Sequence, residues 1–363
     1  MPPIQAAADE QRSLEVHLAQ FTPTTDPIRH TIDYEIWDWA LKRLVLSMGP
    51  PDRLGAPTPQ PSSGTRLKQG PQSRYRLEGS LVLFNFFDKD VIASFTEYRH
   101  DLERVTSTLD ISTLPRNEQL AFWFNLHNVA LLEQIALAWP VREPHEITIN
   151  GVPLDEARFI TLRGIPVSPR DIREQIVFRH WRDPKVIYGF WRGKIGGPEL
   201  QNHAFTGPNV SSLLDVAAAD FVNSLRGTQK RGSQLAVSQL YADVAPFYFD
   251  DFESDLRAHL ARYADPDVAK LLEKTQGVTA IIEETEIADL SGGKRPPNYL
   301  NVVSNAVMPN GQCSDRVGLA VCSLLNSRAF KLQRMIRRDK PTGRVFFSNI
   351  DLPGDPPNKN AVE

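Results

Sequence analysis

The stretch that most limits what this chain can become is PRNEQLAFWFNLHNVALLEQIALAWP, Pro115 to Pro140. Proline lacks an N–H and fixes φ, so it is admitted in the first turn of a helix and just past its end. These two prolines therefore bracket a helix. From Leu120 to Trp139 the segment is apolar on nearly every side, which predicts a helix enclosed all round rather than one lying on a surface. The rest of the fold has to be built around it. Its few polar residues then need partners inside the protein, since an unpaired buried amide costs about 1–3 kcal/mol. At about 100° per residue, Glu118 and Asn125 project within about 20° of each other, Asn128 lies about 60° further round, and His127 points the opposite way. Asn125 and Asn128 are expected either to clamp a neighbouring loop's backbone, the commoner use of a core asparagine, or to line a ligand cleft. Glu118 is a catalytic candidate on the same side, and His127 reads as a satisfied core or interface imidazole ahead of a catalytic base.

Around this helix, amphipathic patterns predict further helices. Residues 33–48 place Ile36, Trp39, Ala40, Leu44 and Leu46 on one stripe, and residues 88–105 do the same with Val91, Phe95, Tyr98 and Leu102. SSLLDVAAADFVNSL, DDFESDLRAHLARYA and DPDVAKLLEKT read as helices, PKVIYGFW as a strand, and GVTAII as a buried strand. HEITINGVPL alternates around Asn150-Gly151, a hairpin signal. The fold class is α+β, helix-rich at the front with a small antiparallel sheet. Residues 1–30 form a lead, 31–292 the principal domain with a Pro/Gly/Ser-rich loop or linker at 50–71, and 293–363 a C-terminal extension with a frayed tail.

With 41% hydrophobic and 23% charged residues and a formal charge of -3, nothing global calls for nucleic acid or an anionic membrane as partner. No apolar run is long enough to cross a bilayer, and the N-terminus carries no signal-peptide pattern; both a cytoplasmic and an exported, trimmed protein stay open. Cys313 and Cys322 are either a disulfide or two small buried hydrophobes, and cannot make a structural zinc site unaided. No metal or cofactor is expected. Oligomeric state is not readable. AFKLQRMIRRDKPTGR, at 329–344, is locally basic, which suits either a solvated face, the commoner case, or a nucleic acid or acidic partner.

VIYGFWRGKIGGPEL, Val186 to Leu200, sets Gly193, Gly196 and Gly197 within five positions, the composition of backbone that approaches something closely. It has neither the Walker nor the dinucleotide spacing. Arg192 and Lys194, with N–H groups freed by the three glycines, suit an anionic small molecule or peptide. The rival reading is a hydrolase that uses Ser168 or Ser211 with His203 or His180, although no nucleophile elbow is present.

NEQLAFWFNLHNVALL resembles the AFWxNxYN signature of the domain of unknown function 547 family, with His127 at its tyrosine. INGVPLDEARF, GIPVSPRDIREQIVFRHWRDPKVIYGF, YADVAPFYFDDF and GVTAIIEETEIADLSGG are similar to its later segments in order, over about residues 30 to 292. The resemblance implies an α+β domain related, with permutation as one option, to papain-like cysteine peptidases, and a Glu, Cys and His hydrolytic site. The family's cysteines fall near Arg192 and Gly197, its strand histidine on Ile187, and its acidic and histidine pair on Arg173 and Glu174. A guanidinium has no lone pair to attack with. The expectation is therefore a non-catalytic descendant that binds an anion at the vacated site.

Overall fold

The computed structural model describes residues 12–25, 27–57, 70–293, 307–308, 311–312, 319–349 and 361–363. About half of these are helical, and the strands form several small sheets, an α+β architecture. The helices are α1 (12–18), α2 (Glu35–Leu44), α3 (Lys89–Thr108), α4 (Arg116–Ala138) and α5 (169–180, whose middle Ile172–Val177 is wound as a π-helix). They continue with α6 (Val210–Val222), α7 (Gln239–Tyr248), α8 (Phe252–Tyr263), α9 (Pro266–Glu273) and α10 (Leu319–Arg337).

The central helix α4 is enclosed as its pattern requires: Leu120, Phe122, Trp123, Phe124, Leu126 and Val129 are all fully buried. Helix α3 packs on it through Phe95 and Leu102, part of the stripe its spacing predicts. The face of α2 is turned relative to expectation. Ile36 and Trp39 are 74% and 58% exposed, while Trp37 and Leu41 are buried and Trp37 stacks on Tyr98 with centroids 5.8 Å apart. Apolar residues line both sides of EIWDWALKRL, and the side that can stack on α3 wins the core. The guanidinium of Arg43 then covers the outward Trp39, 3.9 Å from its ring centre.

Strands β1 (Val45–Ser47) and β2 (Ser80–Val82) pair antiparallel. β3 (Thr148–Ile149) and β4 (Val152–Pro153) form the expected hairpin, with Asn150 and Gly151 at φ 52° and 81°. β5 (Ile160–Leu162) and β6 (Ile165–Val167) form another. The largest sheet is mixed rather than purely antiparallel: β7 (Thr228–Arg231) pairs antiparallel with β8 (Gln234–Ser238), which pairs parallel with β9 (Val278–Ile282) after a crossover through α7, α8 and α9. β9 is half-exposed, so its apolar run GVTAII is not the buried strand it resembles. PKVIYGFW is no strand either. Pro184–Gly189 winds as a 3₁₀-helix, started by Pro184 and by the Asp183 carboxylate accepting from the Lys185 N–H. A short pair, β10 (Val307–Met308) with β11 (Gly311–Gln312), precedes α10.

The described ends of the 50–71 loop carry neither helix nor strand. The tail departs from expectation where it is described: Val362 is buried and donates to Asn117 Oδ1 at 2.8 Å, and the Asp183 N–H donates to the Glu363 carbonyl at 2.6 Å. Cys322 is buried on α10, but its pairing with Cys313 lies outside the described residues. Among the described residues no helix is long and apolar enough to cross a membrane, and no cluster of three His, Cys, Asp or Glu is arranged to hold a metal.

Candidate functional site

Two arginines meet beside α4. Arg173, on the π-wound turn of α5, is 1% exposed and donates through Nη1 and Nη2 to both oxygens of Asp155, at 2.8 and 2.7 Å. This is the bidentate fork a guanidinium is shaped for. Nη1 also lies 3.0 Å from His127 Nε2. Burial and then Arg173 push the His127 pKa down to about 3, so the ring is neutral. Arg173 holds the Asp155 carboxyl well below its usual range despite burial. Asp155 follows the β3–β4 hairpin directly, so the hairpin's tight turn delivers it to the helix.

Arg192 is 17% exposed and donates through Nη1 to Asp243 Oδ2 on α7 at 3.1 Å. Burial and the neighbouring Arg173 lower its pKa, and its Nε has no partner among the described residues. Lys194 is half-buried, lowered by burial and then by Arg192, and no carboxylate lies within ion-pair distance of it among the described residues. Arg192, Lys194, Gly196 and Gly197 face Ser238, Gln239, Glu283 and Glu284 across a cleft of about 10 Å³, room for about one water.

What the glycines approach is the chain itself. Gly193 has φ +74°, and a Cβ there would stand 2.4 Å from Ile135 Cδ1 of α4; at Gly196 it would stand 2.4 Å from the Glu284 carbonyl oxygen. The loop is laced to the segment that follows β9: the Ile195 N–H donates to Glu286 O at 2.8 Å, and the Ala288 N–H to Gly193 O at 2.8 Å. That segment pairs on its other side with β2, where the Leu290 N–H donates to Val82 O at 2.9 Å. Behind the loop, buried Arg226 donates to Gly197 O at 2.8 Å. Only Gly197 has ordinary room around it, its nearest neighbour being Lys194 Cγ at 3.5 Å.

The two asparagines of α4 are loop clamps. Asn125 donates to Phe205 O at 2.7 Å and accepts from the Phe205 N–H at 3.1 Å. Asn128 donates to Gly189 O at 3.0 Å and accepts from the Trp191 N–H at 3.1 Å, so it fixes the approach to Arg192. Their amides are spent on backbone rather than turned to a cleft. Glu118 is buried against Gly207, where a Cβ would stand 2.2 Å from its Oε1.

The hydrolytic candidates sit on separate elements. Ser168 caps α5, its Oγ accepting from the Asp171 N–H at 3.0 Å, and Ser211 Oγ accepts from Lys185 Nζ at 3.1 Å. His203 lies 3.4 Å from Asp38, and His180 is held low by burial and then by Arg116. No serine is hydrogen-bonded to a histidine among the described residues.

Residues 111–222 match a family model described as Protein of unknown function, DUF547. This supports the family resemblance. The DUF547 span contains α4, α5, the glycine loop and α6, and so both arginines and His127, while Asp243 falls outside it. No curated protein and no solved structure matches the chain.

Two members of the cluster escape sequence reasoning. Asp155 pairs across 18 positions and Asp243 across 51. The one available signal was Arg173 itself, placed three and four residues before Ile176 and Val177 on the apolar side of α5.

Proposed function

We propose that this chain is a non-catalytic binding protein that holds an anionic group, such as the carboxylate of a small molecule or peptide, between Arg192 and Lys194. The observation that carries this reading is Lys194: a half-buried ammonium beside a second cation, without a carboxylate partner among the described residues. An ammonium lowered by burial and by a neighbouring guanidinium regains favourable interaction energy when an anion arrives. Among the described residues the acid hydrogen-bonded to Arg192 is Asp243, which is 41% exposed and can turn toward solvent as a ligand displaces it. Such movement is needed, because the cleft as it stands holds about one water.

The permanent charge of Arg192 at the family's nucleophile position, and the scattering of Ser168, Ser211, His180 and His203, favour binding over hydrolysis. The test is a melting experiment against a panel of acidic metabolites and acidic peptides. At 100 times its Kd a ligand stabilises by about 2.7 kcal/mol. At least one member should raise the melting temperature of the wild type and leave Arg192→Ala unmoved. If none does so, the anion site is refuted. Covalent labelling of a serine in this region by a serine-directed probe would favour the hydrolase instead.

A further inference from the structure

A second chamber lies between α6, β1 and α10. It has a volume of about 300 Å³ and is walled on one side by the irregular segment Thr342–Phe346. Its charged groups are divided between walls. From the core side come Glu199 and Asp220, with side chains 12% and 15% exposed. From α10 comes Arg328, whose Nε donates to Ser47 O at 2.6 Å and which has no carboxylate in ion-pair reach among the described residues. Leu200, Leu213, Val216 and Phe346 form the apolar lining between them.

We propose that this chamber binds a small zwitterion, an amino acid in the broad sense, with its carboxylate on Arg328 and its ammonium at Glu199 and Asp220. The size suits a molecule of amino-acid dimensions, and the charge pattern excludes simpler ligands. An anion alone would pair with Arg328 but meet two carboxylates. A cation alone would satisfy those acids but face Arg328 and Arg344 in the lining, with Arg226 and Lys331 behind. Only a ligand that carries both charges answers both walls.

The acids are incompletely served as they stand. Glu199 accepts from Gln201 at 3.2 Å, and Arg226 remains 3.9 Å away. Asp220 accepts from Arg344 at 2.8 Å, an interaction supplied by the irregular wall. Burial raises both carboxyls, and each is raised further or only partly offset by its neighbours, Asp220 acting on Glu199 and Arg344 on Asp220. A bound ammonium would reverse that. The wall segment is held by Arg344, by the Ser212 hydroxyl donating to Phe347 O, by the Asn349 N–H donating to Pro208 O at 2.7 Å, and by Phe346 against the His203 ring. Val345 and Phe347 stay 75% and 71% exposed, so little burial opposes its opening.

The test is calorimetric titration of the full chain with the common amino acids and with an ω-amino acid series from glycine to 6-aminohexanoate, using butyrate and butylamine as single-charge controls. At least one zwitterion is expected to bind about tenfold tighter or more than either control. Arg328→Gln should weaken it by about tenfold and Arg328→Lys by less, because a lysine keeps the charge and loses the fork. Should Arg328→Gln fail to fold by circular dichroism, Glu199→Gln supplies the same reading through loss of the preference over butyrate. The proposal is overturned if no zwitterion outbinds the controls, or if binding is undiminished in whichever of these variants folds.

Discussion

His127 faces Arg173 through Nε2, and since a guanidinium only donates, that nitrogen presents its lone pair. The proton of the neutral ring therefore sits on Nδ1 and is donated to Asn128 Oδ1 at 3.0 Å. Burial and Arg173 hold the folded pKa at about 3, whereas an unfolded histidine titrates near about 6.5. Between those values the unfolded chain takes up a proton that the folded chain refuses, so this contribution to stability falls as pH drops through the window. Asp155 opposes the effect and Arg192 adds to it, while the buried Glu78 and the half-buried Glu174 beside Arg173, both raised by burial, titrate in the opposite sense. The wild-type curve is thus a sum, and comparison with His127→Gln isolates the histidine. The stability advantage of the wild type over that variant should shrink by about 2 kcal/mol between pH 6.5 and 5 in denaturant titrations. An advantage constant over that range would mean the ring takes up its proton in the fold as readily as in the unfolded chain. At this scale the asparagines were legible in the sequence, because a buried amide has few uses. The Arg173–Asp155 fork was not, because its partner is chosen by the turn of a hairpin rather than by spacing along one helix.

Each asparagine joins α4 to a segment with no regular structure of its own. Asn125 satisfies both the N–H and the C=O of Phe205, so the loop before α6 borrows a rung of backbone pairing from a side chain. Asn125→Ala leaves both groups buried without that partner and should cost about 3 kcal/mol of unfolding free energy. Asn125→Asp keeps the acceptor, loses the donor and places a carboxylate against a carbonyl, so it should not rescue. A loss below about 1 kcal/mol for the alanine variant would mean that water enters and replaces the amide. Elements were readable where periodicity had one solution. The stripe of α3 and the Asn150-Gly151 hairpin are of that kind. The reading failed where two solutions competed. In α2 both sides are apolar, and only the stacking of Trp37 on Tyr98 decides between them. In Pro184–Gly189 the apolar run suits a strand, yet the Asp183 cap and Pro184 start a helical turn. In β9 the sheet edge leaves half-exposed what composition alone would bury.

The basic run at 329–344 shows how the whole molecule overrides a local pattern. Arg334 pairs with Asp52 across 282 positions, Arg344 with Asp220 across 124, and Lys340 with Asp267 across 73. A stretch that reads as a solvated face is in part tied down by the chain's own acids, while Arg337 and Arg338 stay exposed. Lys331 is the most constrained of the set: it is 1% exposed and donates to the carbonyls of Met48, Gly49 and Leu77, and burial lowers its pKa to about 8. Those three carbonyls lie at the end of β1 and just before β2, so α10 completes the hydrogen bonding of the strand pair rather than hanging from it. Val321, Leu324 and Met335 bury the apolar side of the same helix. A chain ended at residue 318 loses that cover, leaves the carbonyls to water, and opens the chamber at Arg328. Its melting temperature should fall, and binding of a hydrophobic dye should rise, because apolar surface is uncovered. Substitution of Phe330 or Ile336 by serine is the control: both are more than half exposed on the outer side of α10, at 61% and 65%, and their loss should leave the melting temperature nearly unmoved. If the truncated chain melts like the full one and binds no more dye, then α10 is an appendage, and the ammonium of Lys331 holds nothing that the rest of the fold requires.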